Sequence, residues 1–119
     1  MIKLNNIVIK DLENNIFNFK NLLQKTDCII WRNCNNLDIQ INNKIDKLAF
    51  NDCNNIKLFV LGTITGLEIN KCINFTIVIP CTHSINCLQL YKSNITIDGK
   101  KNDFNKIITT NEYSKITFF

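Results

Sequence analysis

Hydrophobic and polar residues alternate along this chain in short runs, and the runs recur. After Cys34 the residues Leu37, Ile39 and Ile41 are apolar, with Asp38 and Gln40 between them. After Cys53 the same places hold Ile56, Leu58 and Val60, and after Cys72 they hold Phe75, Ile77 and Ile79. Before each cysteine the pairs Ile29/Trp31, Leu48/Phe50 and Leu67/Ile69 keep constant offsets. Strict alternation is the period of a strand whose successive side chains point to opposite faces. The pattern predicts two strands per repeat, one on either side of a Cys-x-Asn corner, and no helix.

Cys34, Cys53 and Cys72 lie 19 residues apart, in the phrases Asn33-Cys34-Asn35-Asn36, Asp52-Cys53-Asn54-Asn55 and Lys71-Cys72-Ile73-Asn74. A further copy follows with Leu88/Leu90, Ser93 at the cysteine place, Asn94, and Ile95/Ile97; a degenerate earlier one lies in Ile7/Ile9 and Phe17/Phe19. Repeats this short cannot bury a core alone and must stack. The prediction is an all-β chain: a right-handed parallel β-helix, or solenoid, of about six rungs with a 19-residue period and a C-terminal strand segment. Its core columns are Ile29, Leu48, Leu67, Leu88; Trp31, Phe50, Ile69, Leu90; and Leu37, Ile56, Phe75, Ile95. Asn36, Asn55, Asn74 and Asn94 are expected to form a corner ladder, because asparagine tolerates left-handed backbone. The three cysteines form a parallel column of small buried side chains.

Composition narrows the functional classes. At 119 residues the chain suits one domain, residues 1–119, and one Pro and three Gly leave no linker-like stretch. The start, Met1 to Asn6, lacks the apolar core of a signal peptide, and no run approaches the ~18 apolar residues of a membrane span. A cytoplasmic protein with no membrane partner is expected, its six cysteines free thiols. The sequons at Asn74 and Asn94 are then incidental. The net charge of +4 comes from scattered lysines and a single arginine, Arg32. That is unlike the concentrated basic stripe of a nucleic-acid binder, and no nucleic-acid partner is expected.

No catalytic or metal-binding constellation emerges. Thiols in single file on successive rungs do not make a zinc cage. Cys81 and His83 are separated by one residue on a strand, which denies the base its reach. Gly62 and Gly66 precede no helix, so they read as turn glycines rather than a phosphate cradle. No catalytic residue, metal or cofactor is expected, and the protein is read as a non-enzyme.

The outward positions carry what remains. Asp38, Gln40, Lys57, Phe59, Thr76 and Val78 face solvent on the downstream strands, with Phe59 and Val78 unexpectedly apolar. On the upstream strands Arg32, Asn51, Glu68 and Asn70 make a flat mixed face. The candidate partner-binding set is Arg32, Asn51, Glu68 and Asn70 with Lys57 and Phe59. Ile116, Phe118 and Phe119 form an apolar end segment that an open solenoid must cap or pair, and they are the candidate dimerisation residues.

The phrases Ile29-Ile30-Trp31-Arg32-Asn33-Cys34-Asn35-Asn36, Leu48-Ala49-Phe50-Asn51-Asp52-Cys53 and Leu67-Glu68-Ile69-Asn70-Lys71-Cys72 resemble the C-terminal β-helix domain of cyclase-associated proteins. The stretch from Lys106 to Ile116 is similar to the segment before that family's terminal hairpin. The resemblance implies a cytoskeleton-associated domain that binds monomeric actin, prefers the ADP form and promotes exchange of ADP for ATP. It also implies a homodimer formed by exchange of C-terminal strands. The related domain of tubulin-folding cofactor C is the alternative; it activates GTP hydrolysis through an arginine in a Gln-x-Arg phrase, where this chain reads Cys81-Thr82-His83-Ser84. A protein-interaction scaffold with another partner is the third reading.

Overall fold

The computed structural model describes residues 5–20, 22–80, 85–99, 104–109 and 114–118. Cys81, His83 and Phe119 therefore lie outside the described residues, as do Asn111 to Tyr113. Ten strands follow one another without a helix among the described residues: β1 (Asn5–Lys10), β2 (Glu13–Asn18), β3 (Asp27–Arg32), β4 (Asn35–Asn51), β5 (Asn54–Asn70), β6 (Ile73–Val78), β7 (Ile85–Tyr91), β8 (Asn94–Asp98), β9 (Phe104–Thr109) and β10 (Lys115–Phe118).

All pairing is parallel and runs from one turn of the chain to the next. One face, called here the upstream face, stacks β1, β3, the end of β4, the end of β5, β7 and β9. The downstream face stacks β2, the start of β4, the start of β5, β6, β8 and β10. Among the described residues each face thus holds six strands, and the chain makes about five full turns between the first and the last. This is the expected parallel β-helix.

Two details differ from the two-strand repeat. In the middle rungs the chain stays extended through the bend between the faces, so β4 and β5 each run 17 residues. Register shifts at Ile41/Lys44 and Ile45/Lys47 mark where β4 bends. The period is also elastic. Leu48 pairs with Leu67, 19 residues on, but Ile7 pairs with Ile29 at an offset of 22 and Leu67 with Leu88 at 21. The extra residues fall between Asn18 and Asp27 and between Val78 and Ile85, so the columns stay in register.

The core columns are those the alternation predicts. Ile29, Leu48, Leu67 and Leu88 are fully buried, as are Trp31, Phe50, Ile69 and Leu90. Aromatic rings tie the two faces together: Trp31 stacks on Phe50 at 5.7 Å between centroids, and Phe50 meets the ring edge of Phe75 at 4.8 Å. Phe50 belongs to the upstream face and Phe75 to the downstream one, so this contact closes the interior.

Each Cys corner turns on two left-handed residues, three apart: Asn33 and Asn36, Asp52 and Asn55, Lys71 and Asn74. Left-handed backbone costs most residues about 1–2 kcal/mol, and asparagine and aspartate less. The thiol between them helps hold the turn. Cys34 Sγ donates to the Arg32 carbonyl at 3.3 Å, Cys53 to Asn51 at 3.3 Å and Cys72 to Asn70 at 3.3 Å. Ser93 takes the same place, donating to the Tyr91 carbonyl at 2.9 Å.

The corner ladder is shorter than expected. Asn36, Asn55 and Asn74 have left-handed backbone and their carboxamides bond to Asn14, Asn35 and Asn55 respectively. Asn94 does not continue the ladder. Its N–H donates to the Cys72 carbonyl at 3.0 Å, as that of Asn54 does to Cys34 at 3.0 Å, so it stands in the register of Asn54. The β7–β8 corner is one residue shorter, and Lys92 alone is left-handed there. Gly66 is not a turn glycine either. It sits in β5 opposite Lys47, and an added Cβ would lie 2.9 Å from the carbonyl oxygen of Cys87.

Candidate partner-binding site

The six residues expected at a partner site fall on two different faces. Arg32, Asn51 and Asn70 form one outward column of the upstream face, extended by Lys10 at one end and Tyr91 at the other. Glu68 lies on the same face two residues nearer the strand start. Lys57 and Phe59 lie on the downstream face, in β5 between β4 and β6. No single flat partner surface could touch all six.

On the upstream face the Asn70 carboxamide donates to that of Asn51 at 2.8 Å, a rung-to-rung bond that fixes both side chains. Lys47 Nζ meets Glu68 Oε1 at 2.8 Å across the two central rungs. That hydrogen bond raises the Lys47 ammonium above its ordinary 10.5, with burial opposing it. Ala49 lies in the outward column between Ile30 and Glu68, yet it is buried, its short side chain sunk below longer neighbours. The result is a flat face with one ion pair near its middle. At its edge Arg32, Asn51, Asn70, Lys71 and Tyr91 line a shallow depression of about 410 Å³. The Lys92 ammonium sits 5.4 Å from the Tyr91 ring centroid.

The downstream face is more concave. Gln40, Lys57, Phe59, Thr76, Val78 and Asp98 line a depression of about 620 Å³. Phe59 and Val78 are neighbours on adjacent rungs and half-buried, so they form its apolar floor. Charges of both signs surround them, with Asp38 beside Lys57 in register and Asp98 beyond Val78. Such a surface suits a protein partner, offering an apolar anchor with polar residues at its margin.

Tyr91 and Lys92 were not singled out from the sequence. The signal was there: continuing the Arg32, Asn51, Asn70 column by the longer step of 21 residues lands on Tyr91. Exposed Ile73 and Ile16 flank the downstream face, at 54% and 80% exposure, and were also missed. At the C-terminal end, Ile116 pairs with Ile95 and Phe118 with Ile97, so both continue core columns in the last rung rather than decorating a surface. Phe118 is 40% exposed because no described rung covers it. Among the described residues no three His, Cys, Asp or Glu side chains gather as metal ligands. The segment from Cys81 to Ser84, where the cofactor C phrase would stand, is outside the described residues.

Comparison with known proteins gives a consistent picture. Residues 3–94 match the family described as "Adenylate cyclase associated (CAP) C terminal". Among solved structures, the fold is similar to that of cyclase-associated protein from Cryptosporidium parvum, with a TM-score of 0.77 and 16% sequence identity. That likeness covers 99% of this chain and 76% of the other. No curated protein sequence matches.

Proposed function

Because the chain belongs to the cyclase-associated protein C-terminal family, we propose that it binds monomeric actin and acts on actin's nucleotide state by binding rather than by chemistry of its own. The family match over residues 3–94 carries this reading. In detail, the domain prefers ADP-actin, promotes exchange of ADP for ATP and so supports filament turnover in the cytoplasm. Contact uses one of the two faces: Arg32, Asn51, Glu68 and Asn70 on the upstream side, or Lys57 and Phe59 on the downstream side.

Two copies pair through β10, with Ile116, Phe118 and Phe119 as the contact residues. The support is that among the described residues β10 is bonded only to β8, leaving an open strand edge with core side chains beneath it.

Mixing the protein with ADP-actin and fluorescent ATP tests the central claim. Accelerated uptake of the fluorescent nucleotide is expected; no binding and no acceleration would remove it. Light scattering at tens of micromolar protein tests pairing, which a monomeric mass would exclude.

A further inference from the structure

Cys34, Cys53 and Cys72 stand in one column on three successive rungs, and Ser93 continues it. All three thiols are buried. Each nevertheless lies just inside a corner, as Cys53 does between Asp52, which is exposed, and Asn54, which is half-buried. The three thiols occupy equivalent places on their rungs, each donating to the carbonyl two residues before it at 3.3 Å.

Burial raises the Cys34 thiol above its ordinary 9.0 and the neighbouring Cys72 raises that of Cys53, so protons leave this column only against a bound cation. The Arg32, Asn51 and Asn70 carbonyls that accept from the thiols also accept a backbone N–H each, from Asp11, Asn33 and Asp52 at 3.0 Å. They keep a donor when the thiol is gone. The N–H of Cys53 points at Cys72 Sγ at 3.4 Å, a donor aimed at sulfur.

Rung spacing chooses between the chemistries open to such a column. A disulfide needs Cβ atoms about 3.5–4.5 Å apart, closer than the roughly 4.8 Å between paired strands. Zinc needs four ligands around one point, and no three gather among the described residues. Two metal–thiolate bonds of about 2.3 Å set in line put their sulfurs about 4.6 Å apart, which fits the rung spacing. Soft thiolates favour copper(I) among the transition metals.

The geometry points to a binding site for one soft monovalent cation of the copper(I) or silver(I) type, held linearly between Cys53 and either Cys34 or Cys72. On binding, two thiols release their protons to solvent and two metal–sulfur bonds form, with no change of oxidation state. The site then carries one net negative charge, partly offset by the Cys53 N–H. An ion so placed ties one rung to the next.

The test is an anaerobic titration with silver(I) in competition with glutathione. It uses the full chain with Cys28, Cys81 and Cys87 changed to serine, so that only the column remains. Native mass spectrometry and near-ultraviolet sulfur-to-metal absorption report binding. One ion per chain is expected, retained by Cys34→Ser and by Cys72→Ser, because each leaves one adjacent pair. Cys53→Ser breaks both pairs and loses the ion, while its circular dichroism stays that of the parent, since Ser93 already fills this place in the next rung. A folded Cys53→Ser that still holds one ion, or a parent that holds none, overturns the proposal. Should Cys53→Ser not fold, Cys34→Ser with Cys72→Ser isolates Cys53 instead: loss of the ion supports the site and retention refutes it.

Discussion

Replacing Phe50 probes how the two faces hold together. The ring is fully buried, stacked within 4° of parallel on Trp31 and edge-on to Phe75 at 77°. Phe50→Leu keeps most of the apolar volume and removes the ring geometry. Two ring pairs at about 0.5–1.5 kcal/mol each predict a loss of about 1–3 kcal/mol. Phe50→Ala adds a cavity, and the total rises to about 3–5 kcal/mol. Since whole domains are stable by only about 5–15 kcal/mol, the alanine variant should sit close to unfolding.

Phe118 supplies the control, because it occupies a core column in the last rung but is 40% exposed. Phe118→Leu should cost less than half of what Phe50→Leu does. Urea unfolding followed by the fluorescence of Trp31, the single tryptophan, measures all three variants. If Phe50→Leu and Phe118→Leu lose the same stability, the central rings do not close the interior and the argument fails.

Further outcomes follow from single contacts. Thr63 is buried in register between Ile45 and Ile85, and its hydroxyl has no hydrogen-bond partner among the described residues; Thr63→Val should raise the urea midpoint, by about 1–3 kcal/mol in stability. Lys71→Asn should gain about 1 kcal/mol by easing a left-handed corner and by offering Asp52 the bond that Asn33 makes to Asp11 at 2.9 Å; a lower melting temperature would contradict this. The Lys47–Glu68 pair is about one-third exposed, so Glu68→Gln should cost under about 1 kcal/mol. Because the folded Lys47 titrates above its ordinary 10.5, that contribution is full below pH 10.5 and fades as pH rises through the higher folded value; a difference that grew instead at alkaline pH would refute the pairing. Glu68→Lys or Phe59→Ala should weaken actin binding while leaving circular dichroism unchanged, and the variant that acts identifies the face; normal binding by both directs attention to β10.

Much of the fold was legible because a solenoid writes its geometry into the chain as a period. Leu48, Leu67 and Leu88 could be placed in one column from spacing alone, and Ser93 could be matched to the cysteines despite its different chemistry. Asn94 could not be placed correctly, since a one-residue contraction of its corner leaves the neighbouring side chains looking aligned. The sides were harder. Alternation says whether a residue points in or out, so Lys57 and Arg32 were both read as outward. It does not say what shape the surface takes, nor that Ala49 would be covered by its neighbours. Which partner a face takes leaves no periodic trace, which is why the resemblance to a family carried the functional reading.

The step between paired residues has a consequence in time. Every described strand bonds to a segment 18–22 residues away along the chain, never much nearer and never much farther. No long-range closure awaits completion of the whole sequence. At roughly 5–20 residues per second of synthesis, a new turn becomes available about every one to four seconds, and each has only its predecessor to find. The protein can therefore be wound as it is made, and a pause in translation would leave a shorter coil with an open last edge.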